Sequence, residues 1–202
     1  MEIKTAKRLI EIIDEYSEAD ISHMKDYMFD LITFTHMFRT VPAKGINILE
    51  LGTGRGHSLV SFALALSEIG LGKIITIDIN ECNDVRKRVE EIGLKQFIVF
   101  IRGKSLSEET FNEVRGIPYD LIFHDLSHKL DITEKELDMY GKLLKVGGIM
   151  LIHDSISEVK DQNVNMKESI DRFLMFNKNF QYIIEKKSPS RLGLAVLLKV
   201  KE

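Results

Sequence analysis

The sequence predicts an α/β fold: a three-layer, doubly wound, mostly parallel sheet with an antiparallel strand near its carboxyl end, preceded by helices. Three observations carry this. After Pro42, short β-rich runs (INILEL, KIITIDI, QFIVFIR, YDLIFHD, GIMLIHD) alternate with amphipathic stretches, the pattern that helical crossovers between parallel strands produce. Two of these runs finish on the same pair, His124-Asp125 and His153-Asp154, and acids at the tips of neighbouring parallel strands share the edge where open α/β sheets bind ligands. Finally, FQYIIEKK and RLGLAVLLKV are separated only by SPS, too little chain for a crossover, so this pair must run antiparallel.

The elements follow in order. Apolar residues recur at helical spacing from about Ala6 to Tyr16 and from Ile21 to Phe38, which predicts two helices ahead of the sheet. The first strand, INILEL, runs into a glycine-rich turn and a helix beginning near Ser58. Four further strands and their helices come next, and EVKDQNVNMKES reads as a solvated loop and the start of a helix. With 202 residues and 44% hydrophobic content, the chain suits one domain, 1–202, of which 1–42 are amino-terminal helices and 43–202 the sheet core. No internal repeat or low-complexity tract interrupts it.

Composition narrows the function. The net charge is -3, with both signs mixed throughout, so the sequence carries no basic footprint for nucleic acid. Cys82 is the single cysteine, which excludes an intramolecular disulfide and a CxxC zinc site. The opening segment lacks the apolar core of a signal peptide, and no apolar run is long enough to span a membrane. The expectation is a soluble cytoplasmic protein with a small-molecule partner.

The most specific motif is ILELGTGRGHS, in which Gly52, Gly54 and Gly56 follow a strand and lead into a helix, Thr53 lies between the first two, and Glu50 stands two places ahead. Glycines here allow a sharp turn that presents amides at a helix N-terminus. The dinucleotide fingerprint GxGxxG does not fit, because His57 occupies its third glycine position. E-x-G-x-G-x-G after a strand resembles the first motif of class I S-adenosylmethionine-dependent methyltransferases, and LELGTGRGHS is similar to the catechol O-methyltransferase-like and macrolide or sugar O-methyltransferase group. That resemblance runs over most of the chain from Ile46 and implies a seven-stranded Rossmann-like sheet. It implies a cofactor site made of Glu50, Gly52, Thr53, Gly54 and Gly56, with Ser58 on the methionine carboxylate, Asp78 on the ribose hydroxyls, Ile79 beside it, Gly103 and Ser105 bordering the adenine, and Asp125 close to the sulfonium.

The resemblance also assigns the two His-Asp pairs. In metal-dependent members an acid after the fourth strand and ligands after the fifth hold a divalent ion, positions matched here by Asp125, His153 and Asp154. Two carboxylates suit Mg²⁺, and an added imidazole shifts preference toward Mn²⁺ or softer ions. Strand neighbours point to opposite faces, so His153 and Asp154 can serve one ion only if the strand breaks between them. His128, three places after Asp125, matches a catalytic position and is the candidate general base, with Lys129 as its alternative. Leu126 stands where the family expects glycine. His124 reads as an interior, hydrogen-bonded histidine. The expected reaction is O-methylation of a hydroxyl on a small molecule. The alternatives are a nicotinamide oxidoreductase, disfavoured by the glycine spacing, and a non-catalytic binding module. HDLSH in place of an Asn/Asp-Pro-Pro-Tyr loop argues for an oxygen acceptor over nitrogen. Met24, Met28, Phe34 and Met37 are candidates for an apolar acceptor pocket or a core, and the family resemblance implies self-association, as a homodimer, through the same helices.

Overall fold

The computed structural model describes Asp30, Leu31, Thr35 and residues 45–159, 164–186 and 193–202. The helices expected at 6–16 and over most of 21–38, with Met24, Met28, Phe34 and Met37, lie outside the described residues, as does the connection carrying SPS. Seven strands form one sheet: β1 (Ile46–Leu51), β2 (Gly72–Asp78), β3 (Ile98–Arg102), β4 (Tyr119–His124), β5 (Leu144–His153), β8 (Phe180–Lys186) and β9 (Leu194–Lys199). Their order is β3-β2-β1-β4-β5-β9-β8. The first five pair in parallel, and β9 lies antiparallel between β5 and β8, as the short connection demanded.

Helices α1 (His57–Ile69), α2 (Asn83–Glu91), α3 (Glu108–Val114), α4 (Leu130–Gly141) and α5 (Met166–Phe176) cover the two faces. Each strand feeds both layers because its residues alternate. Ile48, Ile74, Leu121, Phe123 and Leu151 pack with Leu59, Phe62, Leu66 and Val85 on one side. Leu49, Ile75, Ile122, Met150 and Ile152 pack with Leu137, Tyr140, Ile170 and Phe173 on the other. Most of these side chains are wholly buried, and each contributes roughly 1.5–3 kcal/mol through removal from water. This two-sided burial is why the runs read as continuous apolar stretches instead of alternating ones.

Two details differ from the sequence expectation. β5 begins at Leu144, earlier than GIMLIHD suggests, and turns through Gly147 at φ +83°. The segment expected as a loop holds a two-stranded ribbon, β6 (Glu158–Val159) with β7 (Val164–Asn165), before Asn165 caps α5 by accepting from the Glu168 amide. The carboxyl ends of β1 and β4 form the switch point where the strand order reverses, which positions the site described next.

Candidate functional site

At the switch point the backbone is stitched so tightly that only glycine fits. The Gly52 amide donates to the Ile77 carbonyl at 2.9 Å, and the Asp125 amide donates to the Leu51 carbonyl at 2.8 Å. A Cβ on Gly52, which has φ +100°, would stand 2.1 Å from the Asp125 carbonyl oxygen. Gly54 is the opposite case: it is exposed, and a Cβ there would meet nothing within 4 Å, so its backbone faces open space. A cleft of about 600 Å³ borders it, lined among others by Arg55, Cys82, Asn83 and Arg88. Gly56 then serves as the N-cap of α1.

Asp78, at the end of β2, binds this loop. Its Oδ2 accepts from the Thr53 and Gly54 amides, each at 3.1 Å, and its Oδ1 accepts from the Asn80 amide at 2.8 Å. Ile79, next in the chain, is 57% exposed, an apolar platform beside the carboxylate.

Glu50 and Ser58 face inward, which differs from the cofactor contacts the motif implies for them. Glu50 shares a strand face with Ile48, under α1. The Ser58 hydroxyl donates to its Oε1 at 2.5 Å and the Thr76 hydroxyl donates to its Oε2 at 2.5 Å, while Thr76 and Thr53 share a hydroxyl contact of 2.6 Å. Glu50 is fully buried. Burial drives its pKa up to about 8 against the lowering effect of those two hydroxyls, and the charges of Asp125 and Asp78 add to the rise. Burial thus favours its neutral form, and the side chain braces the loop from below. Beside it, burial and then the charges of Arg55 and Arg88 push His57 down to about 4.

The two His-Asp pairs converge, one residue out of step. His124 pairs laterally with Ile152, which sets Asp125 beside His153. β5 ends at His153, and Asp154 adopts φ +54°, the strand break that sharing a site required. Its carboxylate thus returns toward its neighbour: His153 Nδ1 lies 3.1 Å from Asp154 Oδ1 and 3.3 Å from Asp125 Oδ1. His128 Nε2 lies 3.1 Å from Asp154 Oδ2 and 4.0 Å from Asp125 Oδ1.

The electrostatics are mutual. Burial would raise the Asp125 carboxyl, but the hydrogen bond and charge of His153, with His128 and His124 behind it, bring it below the usual carboxylate range. The hydrogen bond to Asp154 leads in raising His128, against burial. For His153, burial lowers the imidazole, and the Asp125 hydrogen bond with both carboxylate charges outweighs it. Two acids sharing a small volume attract positive charge, and one ligand atom each from Asp125, His128 and Asp154 fits within 4.8 Å of the others. That donor set fits a divalent cation.

Leu126, partly buried, packs against the α4-side core. Lys129 is exposed at the start of α4 and its backbone bridges to Val164. Ser105 turns its hydroxyl inward to Glu136. His124 is interior as expected, with Nε2 2.8 Å from Glu136 Oε2 and both side chains 1% exposed. Glu136 was missed by the sequence reading. The signal was available, since Thr133, Glu136, Leu137 and Tyr140 fall at the spacing of one buried helix face.

A parallel sheet reversed at β1 and β4, an antiparallel β9 inserted beside β5, and a glycine loop under acids at the strand ends define a Rossmann-like methyltransferase fold. Residues 49–155 match the methyltransferase-domain family, more than half of the chain, and the chain belongs to that family. Solved structures agree on the fold. An O-methyltransferase from Bacillus cereus in complex with S-adenosylhomocysteine is 18% identical, with a TM-score of 0.67, over 100% of this chain and 92% of that one. The O-methyltransferase TomG from Streptomyces achromogenes, involved in tomaymycin synthesis and bound to S-adenosylmethionine, is 17% identical, with a TM-score of 0.65, over 100% and 91%. The S-adenosylhomocysteine-bound methyltransferase of Podospora anserina is 16% identical, with a TM-score of 0.67, over 100% and 89%. Among curated proteins none matches the chain in sequence. No described helix is long and apolar enough to cross a membrane.

Proposed function

We propose that the chain is an S-adenosylmethionine-dependent methyltransferase that methylates a hydroxyl of a small molecule with the help of a divalent cation. The observation that carries this reading is the pair of carboxylates, Asp125 and Asp154, that flank His153 at the carboxyl ends of β4 and β5, with the Asp125 amide donating to the carbonyl of Leu51, the residue before the glycine loop. The O-methyltransferases of similar fold support oxygen as the acceptor. When bound, the sulfonium supplies the methyl group and the cation lowers the pKa of the acceptor hydroxyl. The backbone of Gly52, Thr53 and Gly54 shapes the cofactor site, Asp78 is the acceptor for ribose hydroxyls, and Ile79 with Gly103 borders the adenine. Asp125 and Asp154 would hold the ion, with His153 braced between them as the imidazole of the set. His128, at 26% side-chain exposure, is the group that takes the acceptor's proton, at Nδ1, with Nε2 held on the Asp154 carboxylate, and Lys129 stands next to it.

The 4.8 Å grouping favours a second reading, in which His128 is itself a ligand. One experiment separates them: titration of S-adenosylhomocysteine and of Mg²⁺ or Mn²⁺ into wild-type protein and His128→Ala by calorimetry, alongside a chelated control. Cofactor binding by wild type, with metal heat that survives His128→Ala and disappears in Asp125→Ala, supports the base role. Loss of metal heat in His128→Ala transfers it to the ligand set. Absence of S-adenosylhomocysteine binding in wild type refutes the function.

A further inference from the structure

Between the α4 side of the sheet and the turn after β3 lies a polar cluster that the proposed chemistry does not use. Glu136 spends both carboxylate oxygens inside the protein: Oε2 on His124 Nε2 at 2.8 Å, and Oε1 on the hydroxyl of Ser105. Tyr140, one turn further along α4, donates its hydroxyl to the Ser105 carbonyl at 2.6 Å. At its other end the same turn is tied to β2, because the Gly103 amide donates to the Asp78 carbonyl at 2.9 Å. The turn 103–107 is thus fixed at both ends, between the ribose-site acid and α4.

Stability alone does not account for this arrangement. A buried acid-imidazole pair gains little over well-packed apolar residues, and His124 Nδ1 is buried without a hydrogen-bond partner among the described residues, a further cost. What the cluster does provide is position. It joins the turn after β3 to the residue preceding Asp125, so the ends of β3 and β4 share one support.

We propose that Glu136 is a positioning residue for the cofactor, acting through Ser105 to hold the turn after β3 in the shape that receives the adenine. This rests on the methyltransferase reading above and gives Ser105 an anchoring role in place of direct contact. Ser105→Ala removes one hydrogen bond and leaves the His124–Glu136 pair, so the variant folds. Calorimetry with S-adenosylhomocysteine and with adenosine as probes should show both affinities falling by the same factor, about five- to tenfold, with a lower unfolding midpoint from the unpaired Glu136 oxygen and a circular dichroism spectrum like that of wild type. Glu136→Gln keeps an oxygen for Ser105, so both affinities should stay within about twofold of wild type, while its amide donates to His124 Nε2 in the tautomer that carries the proton on Nδ1. The proposal is overturned if Ser105→Ala lowers the midpoint and leaves both affinities intact, or if only the S-adenosylhomocysteine affinity changes. Wild-type protein that binds neither probe overturns the methyltransferase reading, and this inference with it.

Discussion

Replacing Glu50 by glutamine is expected to remove a pH-dependent loss of stability. Glu50 is fully buried and its pKa rises from 4.5 to about 8. A folded-state value above the unfolded one means that the folded protein holds the proton more tightly. Its stabilising effect is therefore complete below about pH 4.5 and is lost as pH climbs through about 8. At about 1.4 kcal/mol per unit, the full loss is of the order of 5 kcal/mol, a large share of the 5–15 kcal/mol typical of a domain. Glutamine has nearly the same shape. Its oxygen still accepts from Ser58 and its amide can donate to the Thr76 hydroxyl, which continues the chain to Thr53.

Urea unfolding of wild type and Glu50→Gln, followed by circular dichroism at pH 5, 7 and 9, measures the effect. At pH 5 the two proteins should agree within about 1 kcal/mol. By pH 9 the variant should be the more stable by several kcal/mol. Reading the difference between the proteins matters, because His57 works the other way. Its folded pKa of about 4 lies below the ordinary 6.5, so its contribution is lost as pH falls through that interval, and it cancels when the two proteins are compared. A difference that stays constant within about 1 kcal/mol from pH 5 to 9 refutes the argument. It would mean that the Ser58 and Thr76 hydroxyls stabilise the carboxylate enough to offset burial.

Three further outcomes are expected. Gly52→Ala places a methyl group 2.1 Å from the Asp125 carbonyl oxygen at φ +100°, and should cost about 2–5 kcal/mol in unfolding free energy while displacing Asp125; an unfolding midpoint equal to that of wild type contradicts this. Ile79→Ala, at a 57% exposed position, should change stability by less than about 0.5 kcal/mol yet weaken S-adenosylhomocysteine roughly tenfold through lost apolar contact, as read by calorimetry. Asp154→Asn retains the left-handed turn, which asparagine tolerates, and removes one of the two carboxylates. Its Mn²⁺ heat should vanish while its circular dichroism spectrum matches that of wild type.

Much of this was legible because burial on both faces leaves a strong mark on sequence. Every sheet run named from the sequence contains a strand, although QFIVFIR enters β3 only at Ile98, after a 3-10 turn over Lys95–Phe97, and the adjacency of β4 and β5 follows from the fold class. Inward-turning residues were harder to read, although strand parity held the information: Glu50 lies on the face of Ile48, beneath α1, so its carboxyl meets Ser58 and Thr76 before it can meet a ligand. The left-handed turn at Asp154 had no such signal, because a positive φ at a residue other than glycine is imposed by packing.

The repeated His-Asp pair shows most clearly why a motif and its meaning can separate. The two copies look equivalent in sequence, yet β4 and β5 pair with His124 opposite Ile152, one residue short of superimposing the copies. Consequently His153 lies level with Asp125 and on the side of Phe123, with ring centroids 6.3 Å apart. His124 points through the sheet to Glu136. The same side chain therefore meets the Asp125 and Asp154 carboxylates in one copy and Glu136, beneath the turn after β3, in the other. Register decides this, because a one-residue slip exchanges the faces of every side chain on a strand.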